Sequence, residues 1–196
     1  MGRRQAKEER KRSLIEATIA CINRYGYAES TIQRIAAHAG VTSGTIYRHF
    51  SNKTDLLEAA MRFLLRGALD EERRAVANAG NDRERLEAVI TSKFADHVFT
   101  HEACVVWAHF WANAQSSPGL ARAETLNYRL LCRSLRTGLA RLVPAASVET
   151  LTLEFAMMID GLWIAHAQET SSLTPETART LMRNSLAARL GALTRS

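Results

Sequence analysis

The chain has 196 residues, of which 46% are hydrophobic and 23% are charged, and it contains only 10 Gly and 3 Pro. This apolar content is too high for a disordered chain, and the scarcity of Gly and Pro excludes collagen-like and linker-rich sequences. No apolar run approaches the length of about 18 residues that spans a bilayer, and no signal peptide is visible, so we expect a cytoplasmic protein without membrane contact. Cys21, Cys104 and Cys132 are widely spaced and odd in number, which favours reduced thiols.

The net charge is +6, and most of the positive excess lies in residues 1–12, which carry six basic and two acidic side chains. Such a segment suits the phosphates or the minor groove of DNA; the alternative is a solvated helix start with ion pairs one turn apart. We expect the arm before Arg12 to be poorly ordered without DNA and to bind DNA through Arg3 and Arg4.

The periodicity of apolar residues predicts helices from the start of the chain. It begins a first helix at about residue 6, and Gly26 is suited to end it because glycine accepts the left-handed backbone conformation that closes a helix. Thr31 is placed to cap a second short helix, which Gly40 ends. Thr42 is placed to cap a third helix over residues 43–50, and Ser51 a fourth.

Beyond residue 80 the predicted helices are longer, and no alternating pattern typical of strands is present. We expect them over residues 82–100, 102–116, 120–143, 147–169 and 175–193, the last with Thr174 as its cap and Pro175 in its first turn. The predicted fold class is all-α with about nine helices. We expect the helices to divide into a smaller N-terminal domain over residues 1–55 and a larger helical domain over residues 56–196.

Residues 31–50 have the spacing of a helix-turn-helix. Small Ala36 and Ala39 let two helices cross closely, and Gly40 takes the turn. The side chains left on the exposed side are short or polar and suit base edges and phosphates; they are Thr42, Ser43, Thr45, Tyr47, Arg48 and His49. Lys53, just inside the next helix, is placed to meet a phosphate at that helix's N-terminus. The alternative is a tight helical hairpin without a role in DNA binding.

The run Ile35-Ala36, Ala39-Gly40-Val41, Gly44-Thr45-Ile46-Tyr47, His49-Phe50, Lys53 and Leu56-Leu57 resembles the DNA-binding signature of TetR-type transcriptional regulators. The resemblance implies that Thr31, Tyr47, His49 and Lys53 bind phosphates. It places Thr42, Ser43, Thr45 and Arg48 where bases are contacted. It further implies that residues 1–55 form a three-helix DNA-binding domain with a helix-turn-helix, and that residues 56–196 form a ligand-binding and dimerisation domain. The protein would then be a homodimeric repressor that a small-molecule effector releases from double-stranded operator DNA.

The second half resembles the ligand domain of the BetI-type, choline-responsive repressors. The resemblance rests on Trp107-Ala-His-Phe110-Trp111-Ala112, on Arg-Leu-Leu at 129–131 and on Ile159-Asp160-Gly161-Leu162-Trp163. Where that family usually continues Leu-Arg after the last Trp, this chain has Ile164-Ala165.

Aromatic side chains of this half are spaced to share helix faces. Aromatic faces with one carboxylate suit a quaternary ammonium, which is attracted to the rings and needs a counter-charge. The residues predicted to bind the effector are Trp107, Phe110, Trp111, Tyr128, Phe155, Asp160 and Trp163. The alternatives are a largely apolar effector, or a plain hydrophobic core.

Two apolar stripes near the end of the chain predict a four-helix dimer seam. The first consists of Leu151, Phe155, Met158, Ile159 and Leu162, and the second of Leu181, Met182, Leu186 and Leu190. A two-fold dimer would present its recognition helices to half-sites about 34 Å apart.

An enzyme is the main alternative class. His97 and His101 lie one helical turn apart with Cys104 beyond them, a spacing that could hold a metal, but no His-Glu-x-x-His or nucleophile motif accompanies it. We therefore expect no catalytic residue, no cofactor and no metal. A DNA-binding protein without a ligand is a second alternative, which the large second domain disfavours.

Overall fold

The computed structural model describes residues 2–193, except for the side chains of Arg3 and Ser116. Within those residues the chain forms nine α-helices and no strand, which confirms the predicted all-α class. The helices are α1 (Arg3–Glu29), α2 (Ile32–His38), α3 (Ser43–Tyr47), α4 (Lys53–Ala77), α5 (Asp82–Thr91), α6 (His101–Asn113), α7 (Pro118–Leu139), α8 (Ala145–His166) and α9 (Pro175–Leu193). Short 3-10 helices span Ser92–Phe94 and Ala114–Ser116. None of these helices combines the length and the hydropathy that a membrane span requires.

α1 begins earlier than expected. The predicted poorly ordered arm before Arg12 is helical from Arg3 onward, because this stretch consists of good helix formers and contains neither Gly nor Pro. Arg12 also pairs with Glu16 one turn later, with Nε and Oε1 2.8 Å apart.

Gly26 kinks α1, whereas the sequence predicted that the helix ends there. Its backbone has φ +78° and ψ 169°, a conformation that residues with a side chain rarely adopt. Helical residues resume after it as far as Glu29, and the Ser30 hydroxyl donates a hydrogen bond to the Gly26 carbonyl over 2.7 Å. The glycine therefore kinks the element, which ends three residues later.

α2 and α3 form the predicted helix-turn-helix. Thr31 caps α2, because its Oγ1 accepts a hydrogen bond from the Arg34 N–H over 3.2 Å. Gly40 takes the turn with φ +64°, and the Val41 N–H donates to the Ala36 carbonyl over 2.9 Å. These contacts close the turn between the two helices.

α3 is shorter than predicted. It ends at Tyr47, and the Phe50 N–H then closes a last turn by donating to the Ile46 carbonyl over 2.9 Å. Thr42 holds the N-cap position, but its side chain makes no capping hydrogen bond. Ile46 and Phe50 are buried and hold α3 on the core.

The predicted cap of α4 is wrong by one residue. Asn52 Oδ1 accepts a hydrogen bond from the Asp55 N–H over 2.9 Å, and Asp55 Oδ2 accepts one from the Ser51 N–H over 3.1 Å. The two side chains thus satisfy backbone donors reciprocally, and Asn is as good an N-cap residue as Ser.

The helix expected over residues 82–100 is divided. α5 ends at Thr91, a 3-10 turn follows, and Ala95 is extended. Phe94 and Phe99 are both fully buried with ring centroids 5.1 Å apart. In a continuous helix two residues five positions apart point about 140° away from each other, so the break is what lets both rings enter one core.

α9 has the predicted bounds, and Thr174 caps it by accepting a hydrogen bond from the Thr177 N–H over 3.1 Å. The apolar stripes predicted for a dimer seam mostly pack within the protomer, with at most 9% exposure for Leu151, Phe155, Ile159, Met182, Leu186 and Leu190. A side chain already packed inside its own chain has no surface left for a partner. Leu181 is the one member of the stripes that is a large exposed side chain among the described residues, and outside the stripes Leu153, Met157 and Ile164 of α8 are exposed.

The chain divides into two compact units. The first contains the described residues up to Leu64 together with Val105–Glu124, and the second contains Leu65–Cys104 and the described residues from Thr125 onward. The predicted domain boundary at residue 55 stays a prediction.

Candidate nucleic-acid interface

The exposed face of α3 is polar. Tyr47 is 55% exposed, Thr42 and Arg48 are also exposed, and Ser43 and Thr45 are half-buried. The hydroxyl oxygens of Thr42 and Thr45 lie 3.2 Å apart, and Arg48 Nη2 donates to Thr45 Oγ1 over 3.3 Å. The structure therefore brings these five predicted residues to one small surface that can both donate and accept hydrogen bonds at base edges.

His49, which follows this surface, is half-buried in a positively charged environment. Its Nδ1 is buried and has no hydrogen-bond partner among the described residues. Burial lowers the pKa of the imidazole below its ordinary value, and the charges of Lys7, Arg48, Lys11 and Arg10 lower it further. Four cations close enough to shift a pKa make this a place that favours a phosphate.

Three of these cations, Lys7, Arg10 and Lys11, were not among the predicted site residues. They belong to α1, and Lys11 also contacts Phe50, with its Nζ 5.5 Å from the ring centroid. The positive excess in residues 1–12 was the signal that could have found them. Only the fold shows that this helix start lies beside the end of α3.

Lys53 has a second role that the sequence did not indicate. Its Nζ donates hydrogen bonds to the carbonyls of Tyr27 (3.1 Å) and Ala28 (2.9 Å) near the end of α1, and it lies 5.6 Å from the centroid of the Tyr27 ring. Burial lowers the pKa of this ammonium group. An ammonium group has three N–H donors, so one remains for a phosphate.

The other residues predicted to contact DNA lie at helix starts. Thr31 uses its oxygen as the cap of α2, which leaves its O–H able to donate. Arg4 is exposed in the first turn of α1, and the side chain of Arg3 lies outside the described part of the chain.

Three of the seven residues predicted to bind an effector lie in the first compact unit, on α6. The ring centroids of Trp107 and Trp111 are 6.1 Å apart, and Phe110 stands edge-on to Trp107 at 6.2 Å. Phe110 is fully buried and Trp107 is 4% exposed. This burial is typical of packing side chains.

The other four lie in the second unit, on α7 and α8. The pKa of Tyr128 is raised, first by a hydrogen bond with Cys132 and then by burial, and the negative charge of Asp160 raises it further. The Asp160 carboxylate therefore lies within electrostatic range of Tyr128. Trp163 follows one turn after Asp160 and stands edge-on to Phe99 at 5.6 Å, whereas Phe155 is fully buried.

The histidines considered as metal ligands have other contacts. His97 Nε2 lies 3.2 Å from Glu71 Oε2, and His101 Nδ1 lies 2.9 Å from the His166 carbonyl oxygen. Burial raises the pKa of the Cys104 thiol to about 12. Over the described residues, no three His, Cys, Asp or Glu side chains are grouped so that they could hold a metal ion.

Comparison with protein families gives two matches. Residues 14–60 match the family described as bacterial regulatory proteins of the tetR family, and residues 82–191 match the BetI-type transcriptional repressor C-terminal family. The first match contains the helix-turn-helix, and the second contains all seven residues predicted to bind an effector.

Known proteins resemble the chain over most of its length. It is 34% identical over 177 residues to the HTH-type transcriptional regulator BetI of Yersinia pestis (strain Pestoides F), which covers 89% of each chain. It is 38% identical over 169 residues to BetI 2 of Chromohalobacter salexigens, which covers 85% of this chain and 79% of the relative.

Solved structures share its fold. A putative transcriptional regulator from Pseudomonas aeruginosa PAO1 superposes with a TM-score of 0.82 at 25% identity, covering 96% of this chain and 93% of the other. A putative regulator from Saccharomonospora viridis, solved in complex with choline, superposes with a TM-score of 0.76 at 23% identity, covering 92% and 96%. These relatives are transcriptional regulators and not enzymes.

Proposed function

Because the chain belongs to the TetR family of transcriptional regulators and carries their BetI-type C-terminal domain, we propose that it binds its operator as a homodimer through α3. A small quaternary ammonium compound then releases it. The observation that carries the first part is the joint surface of α3 and α1, where a polar helix face adjoins four cations around His49.

Different residues of this surface supply the sequence preference and the affinity for DNA. Arg48 and Thr45 are held together at the exposed face and present donors to base edges in the major groove. Lys7, Arg10 and Lys11 neutralise phosphates, which supplies affinity for any duplex without sequence preference. Tyr47 is exposed on α3 and His49 lies close enough to the α1 cations for their charges to lower its pKa, so both are suited to phosphate contacts that orient α3.

Selection of bound duplexes from a randomised library tests this division, with the wild type, Arg48→Ala and Arg66→Ala compared. Arg66 is an exposed arginine of α4 outside the surface and serves as the matched control. We expect Arg48→Ala to bind the wild-type sequence more weakly by about 1–3 kcal/mol and to select different bases. Unchanged selection by Arg48→Ala, or no sequence preference in the wild type, would contradict the proposal.

The dimer is proposed to form through the exposed apolar face of α8 and α9. Leu153, Met157 and Ile164 follow each other on α8 at helical spacing and are 45%, 54% and 49% exposed, and Leu181 of α9 is 47% exposed. Exposed apolar side chains on one face of a helix are typical of an interface with a second copy.

The effector is proposed to be held in the second unit by Tyr128, Asp160 and Trp163. Asp160 and Trp163 share a face of α8, and the negative charge of Asp160 contributes to the raised pKa of Tyr128. Two aromatic side chains and a carboxylate suit a quaternary ammonium group, which cannot donate a hydrogen bond, and each ring contributes about 0.5–2 kcal/mol. The regulator from Saccharomonospora viridis that shares this fold binds choline, which supports the same class of ligand here.

Calorimetry with choline and with its neutral isostere 3,3-dimethylbutan-1-ol tests the effector. We expect choline to bind at least about tenfold more tightly, and Asp160→Asn to abolish the difference. Glu154→Gln, which removes another negative charge from α8 that does not act on Tyr128, is the control and should retain it. Equal binding of both compounds by the wild type would show that no charge recognition takes place.

Release requires that the ligand discriminates between two conformations, because a ligand shifts an equilibrium only by its differential affinity. Fluorescence anisotropy of a selected operator duplex should therefore show weaker binding when choline is added. Asp160→Asn should bind the same duplex with wild-type affinity and no longer respond to choline.

A further inference from the structure

A groove of about 420 Å³ lies between α4, α5 and α7 within the second unit. Its apolar lining comes from Leu69, Val76, Val89 and Leu130. The volume is within the range of roughly 300–1,000 Å³ that small-molecule sites occupy. None of the seven residues predicted to bind the cationic effector lines it.

A close approach of α5 and α7 forms one side of this groove. A Cβ atom on Gly138 of α7 would lie 2.9 Å from Leu86 Cδ1 and 3.5 Å from Leu86 Cα. The absence of a side chain at Gly138, which itself lines the groove, therefore lets the two helices pack at this distance. The groove is thus built by defined packing of its walls.

The charges that line the groove are predominantly positive. Four arginines contribute: Arg73, Arg85, Arg133 and Arg141. Arg73 pairs with Asp70 over 2.8 Å and Arg141 with Asp82 over 3.0 Å. Among the ion pairs of the described residues, none involves the other two. Arg85 of α5 and Arg133 of α7 thus line one groove from two helices, and neither is paired with a carboxylate among the described residues.

The remaining carboxylate of the lining, Glu72, is already balanced. Its Oε1 accepts a hydrogen bond from Ser134 Oγ over 2.7 Å, and its Oε2 pairs with the largely buried Lys93. Because both oxygens have donors and the charge has its counter-ion, Glu72 does not neutralise Arg85 or Arg133. The groove keeps an excess of two positive charges.

We propose that this groove binds a small organic anion with an apolar body, of the class of a carboxylate on a short aliphatic chain. Arg85 and Arg133 hold the carboxylate through charge-assisted hydrogen bonds, which a guanidinium group can make in pairs. The apolar side chains of the lining cover the aliphatic chain. The excess positive charge opposes a quaternary ammonium, so this site goes beyond the proposed effector site and has the opposite charge preference.

Calorimetry on the full-length protein without DNA tests the groove, with octanoate and the neutral octan-1-ol as probes. We expect the wild type to bind octanoate at least about tenfold more tightly than octan-1-ol. In the double variant Arg85→Gln/Arg133→Gln, the affinity for octanoate should fall to the affinity for octan-1-ol. Both arginines are exposed, so the fold should be unaffected, which thermal unfolding verifies.

The double variant Arg83→Gln/Arg129→Gln is the matched control. It removes the same charge from exposed positions of the same two helices that do not line the groove, and it should bind octanoate within about twofold of the wild type. Equal binding of octanoate and octan-1-ol, no binding of octanoate at millimolar concentration, or an equal loss in the control would overturn the proposal. Because the measurement uses neither DNA nor choline, its failure is separate from a failure of the proposed function.

Discussion

Replacement of Lys53 by Met separates the two roles of this side chain. Met keeps an unbranched apolar stem of similar length but removes the ammonium group, and with it the hydrogen bonds to the carbonyls of Tyr27 and Ala28. It also removes the cation from its position 5.6 Å from the Tyr27 ring. The variant therefore tests both the closure of α1 and the contact with a phosphate.

The partial burial of Lys53 determines how much its replacement lowers the free energy of unfolding. A hydrogen bond from a charged group contributes about 1.5–3 kcal/mol when it is well buried. Lys53 is only half-buried, and burial lowers its pKa, so the cost of removing the ammonium group from water offsets part of the gain. Both carbonyls can also accept water in the variant. We therefore expect a loss of about 1–2 kcal/mol in the free energy of unfolding.

Equilibrium denaturation followed by circular dichroism measures this loss, and DNA titrations at several salt concentrations measure the phosphate contact. Loss of one contact should lower the salt slope by about one for every sequence. Lys7→Met is the control. Lys7 is exposed, so its replacement should lower the salt slope of DNA binding without lowering the free energy of unfolding. If Lys53→Met unfolds at the same denaturant concentration as the wild type, the hydrogen bonds from Lys53 to the carbonyls of Tyr27 and Ala28 do not stabilise α1.

Three further predictions concern other parts of the chain. The pKa of His49 is lowered from its ordinary value of 6.5 in the folded protein, so the unfolded chain takes up the proton first as the pH drops. The free energy of unfolding should therefore fall as the pH drops through 6.5. In denaturation experiments His49→Gln should show a smaller fall. Gly26→Ala should destabilise the protein by about 1–2 kcal/mol because of its positive φ, whereas Gly67→Ala, within α4 and in open space, should stabilise it slightly. Met157→Glu should be monomeric at micromolar concentration in sedimentation experiments, while Leu126→Glu, at a similarly exposed position on α7, should remain a dimer; a dimeric Met157→Glu would contradict the proposed interface.

Local signals in the sequence determined where most helices begin and end. Thr31 and Thr174 act as caps, and Gly40 takes the turn between α2 and α3, as predicted. These features depend on backbone atoms within three or four residues, so they are visible without knowledge of the rest of the chain. The polar face of α3 was predictable for the same reason.

Features that depend on distant partners were not predictable. The break after α5 exists because Phe94 and Phe99 enter one core, and the local helix propensity does not indicate this break. The stripe of Phe155 and Ile159 on α8 was visible as a pattern, but a pattern does not state which surface covers it. Tertiary packing assigned it to the protomer's own core and left Met157 on the outside.

The positions of the charged groups show the same division. The composition of residues 1–12 revealed a positive excess, but not that α1 brings Lys7 and Lys11 close enough to lower the pKa of His49. Arg85 and Arg133 look like ordinary surface arginines in the sequence, 48 positions apart. They line one groove because α5 and α7 pack together in the fold. The effect of two charges on a ligand depends on their separation in space, and only the tertiary structure determines that separation.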